Sequence, residues 1–454
     1  LGLAGAGLGA AAAATPVFHD LDELTSAAKT HTQHRWWIKE RDFEDITTPV
    51  DWSVYQNYDR SKHPMPGFRE GGGPMTPERM AERSERHLQG IINKWPGSTL
   101  RDLALDGATG GNYGSTPWDG AKATTPESRG APGPWEGTTQ EDNLQTCRAA
   151  LHFYGSPRVG AIEINEHMKR LFNKGAIIWD DSDVGYRDAD GVYHVPNKCR
   201  WILVWLTKQN SVMGTYTLRN DPDDPWYNKV FRQGKAGENM AYTHAPQIRF
   251  YATKFIKGIG YQALKPSASG NVPFGVFAGI TEQGRTSHSC SPDYGCMMRY
   301  MDFAITDFPL APTKPIDGGV VEFCKSCMNC AESCPVDALS LEKEPSYEVR
   351  DPGNNPGHLC WHMGWTDCSN YGSPFDCVNC QTVCPFNHVE DAMIHSVIRA
   401  VAGTTPIFNG FFATMDKVMG YGMQKSDEEH LDWWYRDLNS WSHDSLLGFG
   451  TAGW

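Results

Sequence analysis

Seven of the thirteen cysteines in this 454-residue chain stand in two short runs, and their spacing points to metal chemistry. In FCKSCMNCAESCP, residues 323–335, four thiols follow one another at intervals of three, three and four, and a proline closes the run. With that spacing three cysteines hold one iron–sulfur cluster and the fourth reaches across to a second. A partner run is therefore required downstream. CVNCQTVCP supplies Cys377, Cys380 and Cys384, but position 374, where a fourth thiol belongs, is a proline. A more distant cysteine must complete the set, either Cys368 or Cys360. Cys368 is preferred because a Gly-Ser-Pro turn separates it from the pair. Crossed ligation then assigns Cys324, Cys327, Cys330 and Cys384 to one cluster, and Cys334, Cys368, Cys377 and Cys380 to the other. Two zinc sites built from the CxxC pairs are the weaker alternative, since zinc motifs rarely carry the third thiolate and the proline.

The runs occupy a small part of the chain, whose length allows two or three domains or one large core with insertions. The five remaining cysteines, Cys147, Cys199, Cys290, Cys296 and Cys360, are odd in number and scattered, so they make no disulfide framework and read as buried free thiols. A net charge of −13 argues against nonspecific nucleic-acid binding, which needs a positive surface. The opening LGLAGAGLGAAAAA is apolar for 14 residues, short of the roughly 20 that span a bilayer. It reads as the end of a signal-peptide apolar region and its Ala-rich cleavage zone, with the charged segment upstream of Leu1. Cofactor-loaded proteins fold before export, so residues 1–14 are expected to be the remnant of a twin-arginine-type signal.

The elements that must position the thiols can be read more coarsely. Residues 15–140 are polar, aromatic and loop-rich, with a Gly/Thr/Pro tract from Asp106 to Glu141, and their tryptophans favour packing over disorder. From Glu141 onward DNLQTCRAALHFYG predicts a helix ended by Gly155 and Pro157, VGAIEI a strand, and RWILVWL at 200–206 a fully buried strand. Apolar residues from Ile248 to Ile259 share one face of a predicted helix over 246–257, starting just after Tyr242 and ended by Gly258 and Gly260. The pattern is that of an α/β or α+β core over 141–316, a two-cluster region over 317–395 and an aromatic-rich packing arm over 396–454.

Three segments now combine into a resemblance. ENMAYTHAPQIRFYATKFIKGIGYQAL, then SPDYGCMMRYMDFAITDFPLAPTKPID, then the double cysteine run resemble the catalytic subunits of respiratory reductive dehalogenases of organohalide-respiring bacteria, Dehalococcoides-like. The resemblance covers most of the chain. It implies a nitroreductase-like core that binds a base-off corrinoid of the cobalamin type, and a C-terminal ferredoxin-like domain whose two [4Fe–4S] clusters feed electrons to cobalt. N- and C-terminal segments wrap the core. The catalytic tyrosine of such proteins lies 19 residues before the Gly-Tyr that ends the core helix, which corresponds here to Tyr242. Their basic partner follows the Tyr-Gly of a PEYG-like segment, here SPDYGCMMR, and corresponds to Arg299. Asp293 replaces the usual glutamate. The polar pocket residue after the core helix corresponds to Ser267 or Ser269, in a loop about two residues shorter than is usual. WHMGWTDC is similar to the family's lead-in to its displaced cysteine and supports Cys368. The family leaves the lower cobalt face without a protein ligand, so no histidine is assigned to the metal.

Replacing a carbon–halogen bond by carbon–hydrogen takes two electrons and a proton and releases halide. A tyrosine hydroxyl, protonated at neutral pH, can give that proton in a dry pocket, and an adjacent guanidinium stabilises the phenolate left behind. The resemblance further implies a small integral membrane anchor protein, a respiratory complex containing a hydrogenase, and a peripheral location on the extracytoplasmic face of the membrane. Two rival readings are an epoxyqueuosine-reductase-like cobalamin and iron–sulfur enzyme acting on tRNA, and a non-catalytic electron-transfer subunit. The signal-like start and the acidic charge oppose the first; bound cobalt would oppose the second.

Overall fold

The structure, a computed structural model, describes residues 77–94, 99–101, 104, 116–218, 232–267, 270–351, 354, 356–369, 377–390 and 394–436. Ala81–Ser426 belongs to one compact unit. The described residues 77–80 and 427–436 belong to another, where Asp427–Asp432 is helical and Trp433 stacks edge-on against Trp434 at 4.8 Å.

The larger unit is mixed α/β. Its first long helix after the loop-rich region, α1 (Gln140–Phe153), begins where the Thr139 side chain accepts the Asp142 N–H. It ends at Gly155, whose φ of 104° lets the chain reverse so that Ser156 N–H returns to the Leu151 carbonyl at 2.9 Å. Both limits agree with the sequence pattern. Three antiparallel strands follow, β1 (Val159–Glu163), β2 (Trp201–Lys208) and β3 (Met298–Thr306), with β2 in the centre.

Strand β2 is buried on both faces because each face has its own core. Leu203 and Trp205 pack with Leu151 of α1 and with Ile248, Phe255 and Ile259. Ile202, Val204 and Leu206 point the other way, into a core with Phe274, Phe303 and Ile305. Side chains alternate across a strand, so a central strand covered on both faces must be apolar at every position, which is why RWILVWL reads as a continuous run.

The helix predicted over 246–257 is longer than expected. α2 runs from Arg232 to Ile259 with Pro246 inside it, so Tyr242 stands within the helix rather than before its start. Pro246 has no N–H to return to the carbonyl one turn earlier, a cost of about 3 kcal/mol in a helix interior. Burial of Ala241, His244, Ala245 and Ile248 on either side of the proline offsets that cost.

The cysteine runs fold into a matched pair of turns. NCAESCP and NCQTVCP place the short helices Asn329–Glu332 and Asn379–Thr382 at equivalent positions, and Asn379 Nδ2 donates to the Ser333 carbonyl at 3.3 Å. Helix α3 (Val320–Ser326) leads into the first run. Beyond the second run, α4 (Ile394–Ala402) and α5 (Asn409–Val418) bury Ile398, Ala402 and Ala413 against Val320, Phe323 and Phe386.

Candidate functional site

Each predicted set of four thiols surrounds its own cavity. Cys324, Cys327, Cys330 and Cys384 line one with Phe323 and Phe386. Cys334, Cys368, Cys377 and Cys380 line the other with Leu339 and Met363. Cys360 lies outside the second cavity; its backbone pairs with Ser346 instead.

The surroundings of the first cavity fit an anionic group. Burial pushes the Cys327 thiol up to about 12 and raises that of Cys330 well above the usual range, the neighbouring thiols adding to both. Such thiols ionise only when a metal takes the proton's place. Arg285, 1% exposed, also lines this cavity. Its guanidinium donates to the carbonyls of Cys324, Cys327, Ser340 and Glu342. A buried cation held by carbonyls lacks charge compensation, and a cluster ligated by four thiolates would carry negative charge that supplies it. N–H donors meet the sulfurs as well: Arg285 N to Cys324 Sγ at 3.5 Å, and Ala338 N to Cys334 Sγ at 3.3 Å in the second cavity.

Cys290 and Cys296, read from the sequence as plain buried thiols, are buried and also line the first cavity; Cys296 Sγ is 3.6 Å from Cys384 Sγ. They arrive there through the turn SPDYG. Gly295 has φ 68°, and a Cβ on it would collide with the Phe386 carbonyl and Asn387, just after the CP of the second run. Only glycine satisfies both conditions.

Tyr242 is 45% exposed on α2, between buried Ala241 and buried His244. Arg299 is on β3, where the pairing passes from Thr207↔Tyr300 to Lys208↔Met298 and leaves Arg299 as the extra residue of a bulge. Bulges re-aim strands beside functional sites. The two elements are tied together: Arg249, two turns along α2 from Tyr242, makes an ion pair at 2.7 Å with fully buried Asp302, three residues beyond Arg299. Lys265 approaches the same carboxylate at 3.8 Å. Ser267 is exposed, and Ser269 lies outside the described residues. A roomier recess bordered by Arg148, His152, Arg158 and Lys314 contains none of these groups.

No family model matches the chain. Among curated proteins it is similar to the chloroethene reductive dehalogenase of Dehalococcoides mccartyi strain VS, 30% identical over an alignment 518 positions long, gaps included, that covers 96% of this chain and 94% of that protein. The chain belongs to the reductive dehalogenases. Among solved structures, the catabolic reductive dehalogenase NpRdhA bound to 3-bromo-4-hydroxybenzoic acid matches with TM-score 0.51 and 18% identity, covering 76% of this chain and 44% of that one. A reductive dehalogenase structure described as suggesting a mechanism for B12-dependent dehalogenation matches with TM-score 0.50 and 17% identity, over 72% of this chain and 42% of that one. At those identities the likeness is one of fold.

Sequence reading of this reductive dehalogenase missed Arg285, whose contacts lie 39 to 57 residues away along the chain and leave no local pattern. It also missed the position of Cys290 and Cys296 beside the cluster thiols. The unusual wealth of cysteine around SPDYG was the available signal.

Proposed function

We propose that the chain reduces a chlorinated ethene, replacing one chlorine by hydrogen with two electrons and one proton and releasing chloride, as terminal reductase of organohalide respiration. The main support is the gathering of two four-thiol sets at two cavities in a chain whose relative is a chloroethene reductive dehalogenase. The aromatic ligand of NpRdhA belongs to a protein of only 18% identity, so the alkene is the better-supported substrate class.

In this reading the eight thiols hold two [4Fe–4S] clusters in a ferredoxin-like region over 317–395. The core over 141–316 is nitroreductase-like and accepts a base-off corrinoid against the open side of α2 at Tyr242. When bound, these groups supply the low-potential electrons and the cobalt at which the carbon–halogen bond is cleaved. Tyr242 gives its hydroxyl proton to the carbon that loses halogen, and Arg299 holds the phenolate. Ser267 and Ser269 border the pocket.

Among the described residues no helix is long and apolar enough to cross a membrane. We place the protein on the extracytoplasmic face, attached through a small integral anchor protein and a hydrogenase-containing complex. Cell fractionation after deletion of the anchor should move it from the membrane to the soluble exported fraction.

The deciding experiment loads the full chain with corrinoid and iron and measures chloride release from tetrachloroethene with a reduced low-potential donor. About eight irons and one cobalt per chain, with chloride release, are expected. Iron without cobalt and no chloride would leave an electron carrier.

A further inference from the structure

HLCWH, residues 358–362, is unused by the clusters. In extended backbone every second side chain shares a side, and here His358, Cys360 and His362 come together. Cys360 Sγ and one ring nitrogen from each histidine all lie within 4.8 Å of one another. The two rings stand edge to face, 5.2 Å between centroids. His362 is 5% exposed, and its Nε2 is buried without a hydrogen-bond partner. An unmet buried donor or acceptor costs about 1–3 kcal/mol, so the position calls for a ligand.

We propose that His358, Cys360 and His362 bind one zinc ion, separate from both iron–sulfur clusters. One thiolate with two imidazoles is a borderline-soft donor set that suits Zn²⁺, and three protein ligands leave the fourth tetrahedral position to water. His358 is exposed and opens that position to solvent. Binding exchanges the Cys360 S–H proton for the metal and releases it to solvent, with no change of oxidation state.

The place of the ion in the fold suggests its task. Cys360 is anchored to Ser346 by two main-chain hydrogen bonds, of 3.0 and 3.2 Å. Trp361 is buried between the Glu342 carbonyl, which accepts its Nε1–H at 2.9 Å, and the Arg285 guanidinium, 4.7 Å from its ring. Met363 lines the second cluster cavity, and Cys368 follows one short helical turn later, its N–H bonded to the Gly364 carbonyl at 3.0 Å. Zinc thus staples the root of the excursion that delivers the displaced cysteine, fixing a stretch that has no helix or strand of its own between Cys360 and Gly364.

The test is elemental analysis and zinc-edge X-ray absorption on the full, iron- and corrinoid-loaded chain after addition of one equivalent of zinc chloride. Close to one zinc per chain is expected, with one Zn–S distance of about 2.3 Å and Zn–N distances of about 2.0–2.1 Å. Cys360→Ser and His358→Ala should drop zinc to background while iron and cobalt stay unchanged; His358 is exposed, so its variant folds even where that of Cys360 does not. Zinc retained in His358→Ala, no zinc in the wild type, or loss of iron in a Cys360→Ser protein that folds as the wild type does by circular dichroism would each overturn the assignment. The zinc count depends on neither cobalt nor chloride release, so it stands or falls apart from the dehalogenation reading.

Discussion

Arg285 holds Cys324 from two directions. Its Nη2 donates to the Cys324 carbonyl at 2.6 Å, while its own main-chain N–H reaches Cys324 Sγ at 3.5 Å. One buried residue therefore fixes both the backbone and the sulfur of Cys324, and it lines the cavity where the proposed cluster would sit. Arg285→Gln keeps some hydrogen bonds and removes the charge. It should destabilise the loaded protein by about 1.5–3 kcal/mol, the range for hydrogen bonds from an ionised group, and should make one of two cluster signals harder to reduce. Thermal melts and redox-titrated EPR read these two effects, and an unchanged potential for both clusters would refute the electrostatic part.

Tyr242→Phe deletes a hydroxyl from a half-exposed helix position, so folding, iron and cobalt should be unaffected. Loss of a positioned proton donor lowers turnover by about 10²–10⁴-fold. Chloride release at matched cofactor content is the measurement, and wild-type turnover in the variant would remove Tyr242 from the reaction.

Cys368→Ser should lower iron from about eight toward about four per chain and abolish one EPR signal, because only that thiol completes the second cavity. Cys360→Ser should leave iron untouched. The reverse pattern would make Cys360 the ligand.

Asp416 and His388 form a buried pair, side chains 1% and 2% exposed, at 2.9 Å. His388 Nε2 faces the Thr382 carbonyl at 2.8 Å and must be a donor there. Nδ1 faces the carboxylate, so the pair holds a proton that a neutral imidazole could not place at both nitrogens. His395 Nε2 meets the same oxygen at 3.0 Å. Burial alone would raise the Asp416 carboxyl, yet hydrogen bonds from both histidines hold it below the ordinary value. A depressed carboxyl contributes stability above its unfolded value of about 3.9, and loses that contribution as pH falls through the lower folded value. Asp416→Ala strands the imidazolium and should cost about 3–5 kcal/mol near neutral pH. The penalty should shrink below about pH 4, as wild type surrenders the same contribution. Melts from pH 3 to 7 measure it, and a penalty independent of pH would contradict the charge pairing.

Burial of the cluster thiols has the opposite pH signature. With Cys327 pushed up to about 12, the cluster-free chain keeps the thiol's contribution below the ordinary value of about 8.5 and loses it as pH rises toward 12. Loaded protein, whose thiolates are already metal-bound, should lack that alkaline decline. Urea titrations of both forms between pH 8 and 11 compare them.

The grouping of the eight thiols at two cavities was legible because a cluster imposes its own spacing on a chain, and the absence of a thiol at Pro374 pointed to Cys368. Helix α1 and strand β2 were legible for a similar reason. A Gly-ended helical run and an unbroken apolar segment state their surroundings locally. The extension of α2 through Pro246 was not, since a proline argues for a helix start and only packing on both sides of it outweighs that preference. Nor could a linear pattern show that Arg299 falls in a bulge, which depends on the register of β2 against β3.

The sequence by itself determined how the thiols divide into two sets of four and where α1 and the buried strand β2 fall, because those depend on ligand spacing and side-chain periodicity. The tertiary structure alone decided what surrounds them: Arg285 at the first cavity, Cys290 and Cys296 beside Cys384, and α2 tied to β3 through Arg249 and Asp302. Those contacts join residues tens of positions apart. They are selected by the packing free energy of the whole core, which no short stretch of chain encodes.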